Sequence, residues 1–219
     1  QFNMNINLKK RIYTSLILFL FVFSMLMNNY VLGYFLIIVS ILSLLEFMRM
    51  TMKIYVKEKI KVFSLNVIFT IYICIFSSAF LIFSNFFHFK ILLFILLFTC
   101  IASDIGGFVF GKFLKGPKLS KISPNKTIAG SIGSILLSSI TFTIIIYFFT
   151  KSFELQFLFI GIITSVSCQL GDLFFSYLKR KSKLKDTGNL LPGHGGVLDR
   201  VDGILLGMPI GFITLLLIY

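Results

Sequence analysis

Seven runs of mostly apolar residues, each near the length needed to cross a bilayer, restrict what this chain can fold into. They cover roughly 12–28, 31–48, 62–83, 89–110, 129–150, 155–178 and 203–219. A hydrocarbon core of about 30 Å is crossed by about 20 helical residues. Of the 219 residues, 57% are hydrophobic and 13% are charged, where an ordinary soluble domain carries about 25% charged residues. Such a chain cannot hide its apolar surface in one aqueous core. The sequence therefore predicts an all-α, polytopic transmembrane fold of about seven membrane helices. The first run is too long for a secretory leader and lacks a small-residue cleavage site, so it reads as a span. The short turn Met27-Asn28-Asn29 predicts that the first two spans form a helical hairpin. Within one integral domain, residues 1–90 read as N-terminal membrane helices and 91–219 as the region that carries the chemistry.

Charge sets the expected orientation. The net charge is +13, and in an apolar chain that balance points to cytoplasmic loops and anionic lipid rather than to nucleic acid. Nineteen of the 21 basic residues fall in four clusters on one side. These are Lys9 to Arg11, Arg49 to Lys61, Lys112 to Lys126, and Lys179 to Arg200. Lys90 and Lys151 lie on the other. The positive-inside rule puts the clusters, and with them the N-terminus, in the cytoplasm. Cys74, Cys100 and Cys168 lie in apolar runs without metal-ligand or disulfide spacing and read as packing residues.

Ionisable groups within spans are costly and commonly face an interior or a cavity. Asp104 in the fourth span and Asp172 in the sixth qualify. Ser165, Gln169, Asp172 and Ser176 follow one another at helical spacing and share a face. Ser131, Ser134, Ser138 and Thr141 make a similar stripe on the fifth span. Small residues there indicate close helix packing, and they are compatible with a homodimer. Glu46, at the end of the second span, reads as the partner of Arg49 in an interfacial ion pair.

Two cytoplasmic stretches carry chemistry. The stretch 169–203 holds Asp172, a basic run ending in Lys185-Asp186, the turn Pro192-Gly193-His194-Gly195-Gly196, and Asp199-Arg200-Val201-Asp202 at the start of the last span. Asp199 and Asp202 are one helical turn apart and can point the same way. Carboxylates, cations and a glycine turn suit metal-bound phosphates. Mg²⁺ takes oxygen ligands, glycine lets backbone N–H groups approach oxyanions, and Lys and Arg offset phosphoryl charge. The second stretch, 103–130, holds Asp104, Gly106, Gly107, Gly111-Lys112 and Ser123-Pro124-Asn125-Lys126-Thr127. It does not match the P-loop pattern.

The 27 positions from Ser176 to Asp202 resemble the signature of phosphatidate cytidylyltransferases, also called CDP-diacylglycerol synthases. The resemblance rests on Ser176, Lys179-Arg180, Lys185-Asp186, Gly188, Pro192, His194-Gly195-Gly196 and Asp199-Arg200-Val201-Asp202. The stretch from Asp104 through Ile122 to Thr127 is similar to a second family block, in the same order. Together these blocks cover roughly residues 95–219. Ala129 departs from the acidic residue common at that place, and the chain is shorter than the longer members.

The resemblance implies a helical fold with a polar cavity facing the cytoplasm of a bacterial inner membrane. It implies CTP and phosphatidic acid as substrates, and CDP-diacylglycerol and pyrophosphate as products. It also implies a Mg²⁺ site, shared with K⁺, at Asp172, Asp199 and Asp202. Lys126, Lys179, Arg180, Lys185 and Arg200 would hold the triphosphate or the lipid phosphate. His194 would contact a phosphate or move a proton. Asp104, Ser123, Asn125, Thr127, Asp186, Gly195 and Gly196 complete the expected substrate contacts. A CTP-dependent lipid kinase and an ether-lipid cytidylyltransferase share the same chemistry. A transporter would often show internal repeats, and none is visible. A lipid-binding scaffold accounts for the basic loops but not for the paired acids.

Overall fold

The computed structural model describes residues 20–114, 116–120, 122–123, 126–188 and 195–218. Six long helices order the chain: α1 (Asn29–Ile54), α2 (Lys59–Ser84), α3 (Phe87–Leu114), α4 (Ile128–Thr150), α5 (Leu155–Lys181) and α6 (Leu198–Ile218). All six are long and apolar enough to cross a membrane, so the fold is all-α and multi-pass. An isolated β-bridge joins Lys118 and Thr127. Of the first expected span, 20–27 is helical, and 12–19 lies outside the described residues. The break before α1 is a single residue. Asn28 is extended, and its side chain accepts from the Tyr30 N–H at 2.8 Å.

Several helices outrun the apolar runs that announced them. α1 continues to Ile54, α5 to Lys181, and α6 begins at Leu198 rather than 203. Hydropathy marks the length in hydrocarbon, whereas helix hydrogen bonding is indifferent to it. Lys and Arg are good helix formers and can carry their charges out to the interface. As a result Asp199 and Asp202 both lie inside the first turns of α6.

The chain divides into two compact units, one of residues 1–90 with 179–200 and one of 91–178 with 201–219. In the first, α1 and α2 run antiparallel. Asn66 Nδ2 donates to Thr51 Oγ1 at 3.0 Å, and Ser40 and Ser77 share a hydrogen bond of 2.8 Å. Phe47 and Phe69 stack with centroids 4.0 Å apart. At the other end of this hairpin, Asn29 bridges Asn85 and Lys90: its Nδ2 donates to Asn85 Oδ1, and its Oδ1 accepts from Lys90 Nζ at 2.7 Å. In the turn after α1, the Tyr55 ring receives the ammonium groups of Lys61 and Lys181, 5.9 and 4.9 Å from its centroid.

The second unit is held by glycine seams. A Cβ on Gly106 of α3 would lie 2.5 Å from the Gly133 carbonyl oxygen of α4. One on Gly161 of α5 would lie 2.5 Å from Ser139 Cα of α4, and one on Gly171 would lie 2.7 Å from the Asp202 carbonyl oxygen of α6. Lipid tails are as apolar as leucine, so such helices associate by close packing and hydrogen bonds rather than by escape from water. Ser134 and Ser138 are buried on α4, and Ser138 Oγ reaches the Gly161 carbonyl at 3.3 Å. These small residues are used up inside the unit and so do not argue for a dimer. Cys100 and Cys168 are buried, as packing residues should be, but Cys74 is exposed, so that reading does not extend to it.

Two substitutions separate a seam from an open face. Gly161→Leu is expected to cost about 2 kcal/mol through overpacking and to lower the thermal midpoint in detergent. Gly33→Ala, whose new Cβ meets only Leu81 Cδ2 at 3.6 Å, should hold or raise that midpoint.

Candidate active site

The polar stripe of α5 is met residue by residue inside the second unit. Ser165 shares a 2.8 Å hydrogen bond with Ser103 of α3. Gln169 accepts from the Ser131 hydroxyl of α4, and its Nε2 donates to the Ser131 carbonyl at 3.3 Å. Asp172 forms an ion pair with Lys126 and accepts from Ser176 Oγ at 3.2 Å. The shared face read from the spacing is therefore a working seam.

Lys126 reaches Asp172 because its loop is closed on itself. The Leu119 N–H donates to the Lys126 carbonyl at 2.8 Å, and the Ile128 N–H donates to the Pro117 carbonyl at 3.0 Å. Thr127 then caps α4, accepting from the Gly130 N–H at 3.1 Å. An N-cap of this kind satisfies a helix-start donor that has no partner inside the helix. The Lys126 and Asp172 side chains keep 28% and 26% of their surface exposed.

A second acid–base pair lies in the first unit. Lys179 Nζ donates to Asp199 Oδ1 at 2.7 Å, with the side chains only 13% and 8% exposed. Asp199 Oδ2 takes the Thr187 N–H at 2.8 Å and the Gly196 N–H at 3.1 Å. The acid thus folds back over the start of its own helix, where negative charge also suits the helix dipole. The glycine turn makes this possible. Gly195 has φ +84, and a Cβ there would lie 3.1 Å from Asp199 Oδ2. A Cβ on Gly196 would collide with Thr187 Oγ1 and Glu46 Oε2.

Glu46 is the residue that sequence reading misplaced. It is buried, at 2% exposure, and among the described residues no ion pair joins it to Arg49. Its Oε1 accepts from the Val197 N–H at 3.0 Å. Its Oε2 accepts from the Leu198 N–H at 2.9 Å and from Thr187 Oγ1 at 2.6 Å. The available signal was an acid set between Leu45 and Phe47 in an apolar run. Arg49, three residues on, offered an easier local explanation.

The other expected residues are distributed as follows. Asp202 is buried, and its Oδ1 accepts from the Gly203 N–H at 2.9 Å. Asp104, Arg180, Lys185, Asp186 and Arg200 are exposed, and Ser123 and Thr127 are half-buried. Asn125 and His194, with Pro192 and Gly193, lie outside the described residues. Among the described residues, no three of His, Cys, Asp and Glu form a ready-made metal cluster. The donor chemistry nevertheless fits a hard cation. Asp172 and Asp202 offer carboxylate oxygens, and Asp172 already accepts an ammonium. Asp199 does the same at Oδ1 while Oδ2 is engaged by backbone N–H groups.

Fold and site together define a class: a multi-pass membrane protein whose helix-borne acids Glu46, Asp172, Asp199 and Asp202 are met by a lysine or by backbone donors beside basic loops. A model of the Cytidylyltransferase family matches residues 52–218, more than half of the chain, including both acid–lysine pairs but not Glu46. The chain belongs to that family. It is 45% identical over 128 residues to a phosphatidate cytidylyltransferase of Rickettsia bellii, covering 54% of this chain and 55% of that protein. A phosphatidate cytidylyltransferase of Bacillus subtilis is 42% identical over 120 residues, covering 53% and 44%. One of Helicobacter pylori is 40% identical over 112 residues, covering 51% and 42%. The chain spans about half the length of the curated relatives it matches.

Removing the cation of the buried pair tests its structural weight. Lys179→Met leaves Asp199 with its N–H donors but without its charge partner. It is expected to cost about 2 kcal/mol, the scale of one hydrogen bond to a charged group, measured by thermal unfolding in detergent. Asp199→Asn combined with Lys179→Met should cost less than the two single changes added together.

Proposed function

We propose that this chain acts as a phosphatidate cytidylyltransferase, joining CMP from CTP to phosphatidic acid to give CDP-diacylglycerol and pyrophosphate. One observation carries the reading. The family match spans the stretch holding both acid–lysine pairs, in a chain whose relatives named above bear that enzyme's name.

In the proposed reaction, a phosphate oxygen of phosphatidic acid attacks the α-phosphorus of CTP. A new phosphoanhydride bond forms as the bond to the β-phosphate breaks, and pyrophosphate leaves. On this reading the carboxylates of Asp172, Asp199 and Asp202 are the groups that would hold Mg²⁺ and K⁺. Bound there, the metal would offset charge on the two phosphates during in-line displacement. Lys126, Lys179, Arg180, Lys185 and Arg200 supply positive charge to the triphosphate and the lipid phosphate. Lys126 and Lys179 already sit on the acids, so each can pass from carboxylate to phosphate without entering a new region. Gly195, half-buried and at positive φ, would let the backbone of the turn approach an oxyanion, while Gly196 packs beneath it with its N–H on Asp199. His194 contacts a phosphate or moves a proton. The acyl chains stay in the bilayer while the headgroup reaches the interface. The clustered basic residues support an orientation with these loops in the cytoplasm of a bacterial inner membrane.

The test uses purified protein in detergent with CTP, phosphatidic acid and Mg²⁺. Label in the cytosine of CTP should enter the lipid product. Label remaining in free CDP would instead indicate a lipid kinase. Asp199→Asn and Asp202→Asn should each abolish turnover without preventing membrane insertion. Near wild-type turnover in Asp199→Asn would remove the metal role given to that acid.

A further inference from the structure

Asp199 does not hold its place alone. The loop that delivers it is pinned from a helix at the other end of the sequence. Glu46 lies in the middle of α1's buried face, with Leu32, Leu36, Ser43, Phe47 and Met50 on the same side. Its carboxylate receives three donors, all from 141 to 152 residues away. Two of these, Val197 and Leu198, are the N–H groups at the start of α6, which have no acceptor within the helix. The third is the Thr187 hydroxyl.

Thr187 links the two carboxylates. Its backbone N–H donates to Asp199 Oδ2 at 2.8 Å, and its hydroxyl lies 2.6 Å from Glu46 Oε2 and 3.0 Å from Asp199 Oδ2. A hydroxyl has one proton to donate. Asp199 Oδ2 already has two backbone N–H donors, so the shorter contact, to Glu46, takes that proton. The loop is closed sterically as well. A Cβ on Gly188 would lie 2.5 Å from Glu46 Oε1, and Gly196 has no room for one. Thr187 is itself buried, at 2% exposure. A carboxylate in an apolar helix face is tolerated only when its acceptors are filled. Here the donors that fill them are the ones that fix the height and direction of Asp199.

We infer that Glu46 is a positioning residue for the proposed cytidylyltransfer, acting through Thr187 and the α6 N-terminus to hold Asp199 in its reactive geometry. The inference rests on the functional reading above. It adds a residue that touches neither substrate, and that lies before the stretch matched by the family.

The experiment compares full-length wild type with Glu46→Gln, Thr187→Val, the double variant and Glu58→Gln in detergent. Glu58, an exposed acid paired with Lys61, serves as the control. Glutamine keeps the shape of Glu46, but its amide nitrogen cannot accept from the α6 N–H groups. Two readouts are taken on folded protein: backbone hydrogen exchange over 182–200, and kcat with the KM values for CTP and phosphatidic acid. Glu46→Gln should speed exchange across 182–200 and leave α2 unchanged. It should lower kcat about ten-fold or more, with each KM within about three-fold, the loss typical when an outer partner of a ligating carboxylate is removed. Thr187→Val should do the same more weakly, and the double variant should be no worse than Glu46→Gln. Glu58→Gln should match wild type.

Wild-type kcat in Glu46→Gln overturns the inference, whether or not exchange rises. So does a kcat loss with unchanged exchange, or fully additive effects in the double variant. If Glu46→Gln does not fold, Thr187→Val carries the same two readouts and wild-type values there overturn the inference. If wild type itself makes no CDP-diacylglycerol, the functional reading fails. The exchange data then still decide whether Glu46 pins the loop.

Discussion

A carboxylate that enters an apolar helix must be met by donors, and this one requirement organises the chemistry-bearing loops. Taking an ionised acid out of water without compensation costs several kcal/mol or more. Asp172 is met by Lys126 and Ser176, Asp199 by Lys179, Thr187 and Gly196, and Glu46 by Thr187, Val197 and Leu198. In each case the donor comes wholly or partly from a loop or a helix start, so satisfying the acid also fixes the backbone. The loop before α4 is drawn in by Lys126, and the segment before α6 is drawn in by two acids at once.

The helices can carry such acids because their packing leaves no slack. In the second unit, Gly106, Gly161 and Gly171 bring neighbouring backbones so close that a methyl group would not fit. Contact at this range fixes register as well as distance, because a helix slid by one residue would lose the gap that receives its neighbour. The α5 stripe depends on that register. Ser165, Gln169 and Asp172 meet Ser103, Ser131 and Lys126 in turn, and a rotation of α5 would misplace all three together. Hydrogen bonds between membrane helices are individually modest, so their value here lies in being simultaneous.

What the sequence revealed follows the range of each interaction. Membrane helices are recorded as local apolar runs, and six were legible to within a few residues, apart from charged extensions such as 49–54 and 198–202. The polar face of α5 was legible because a period of 3.6 is local too. The pairing of Lys126 with Asp172 was not, since the two lie 46 residues apart and many lysines were available. Glu46 shows the failure most clearly. A nearby Arg49 offered a plausible partner, whereas the true donors are backbone N–H groups and a hydroxyl that become available only when a distant loop returns. Backbone donors leave no mark in a residue pattern. Cys74 shows the converse: an apolar neighbourhood indicates lipid contact as readily as burial.

The two acid–lysine pairs differ in a way that bears on their work. Lys126 and Asp172 remain about a quarter exposed, whereas Lys179 and Asp199 are 13% and 8% exposed. An ion pair open to water is held weakly, because the solvent competes for both partners. One that is desolvated is costly to break unless another charge replaces the one removed. On the proposed reading, Lys126 can leave Asp172 for an incoming phosphate at little cost, with the carboxylate rehydrated or taking up a cation. Asp199 is held differently. Its backbone donors stay in place when Lys179 moves, so its orientation survives a change of counter-ion. The first arrangement suits a group that must exchange partners in every turnover. The second suits an acid that keeps one position while charges pass by it, and Glu46, on the far side of Thr187, braces that position.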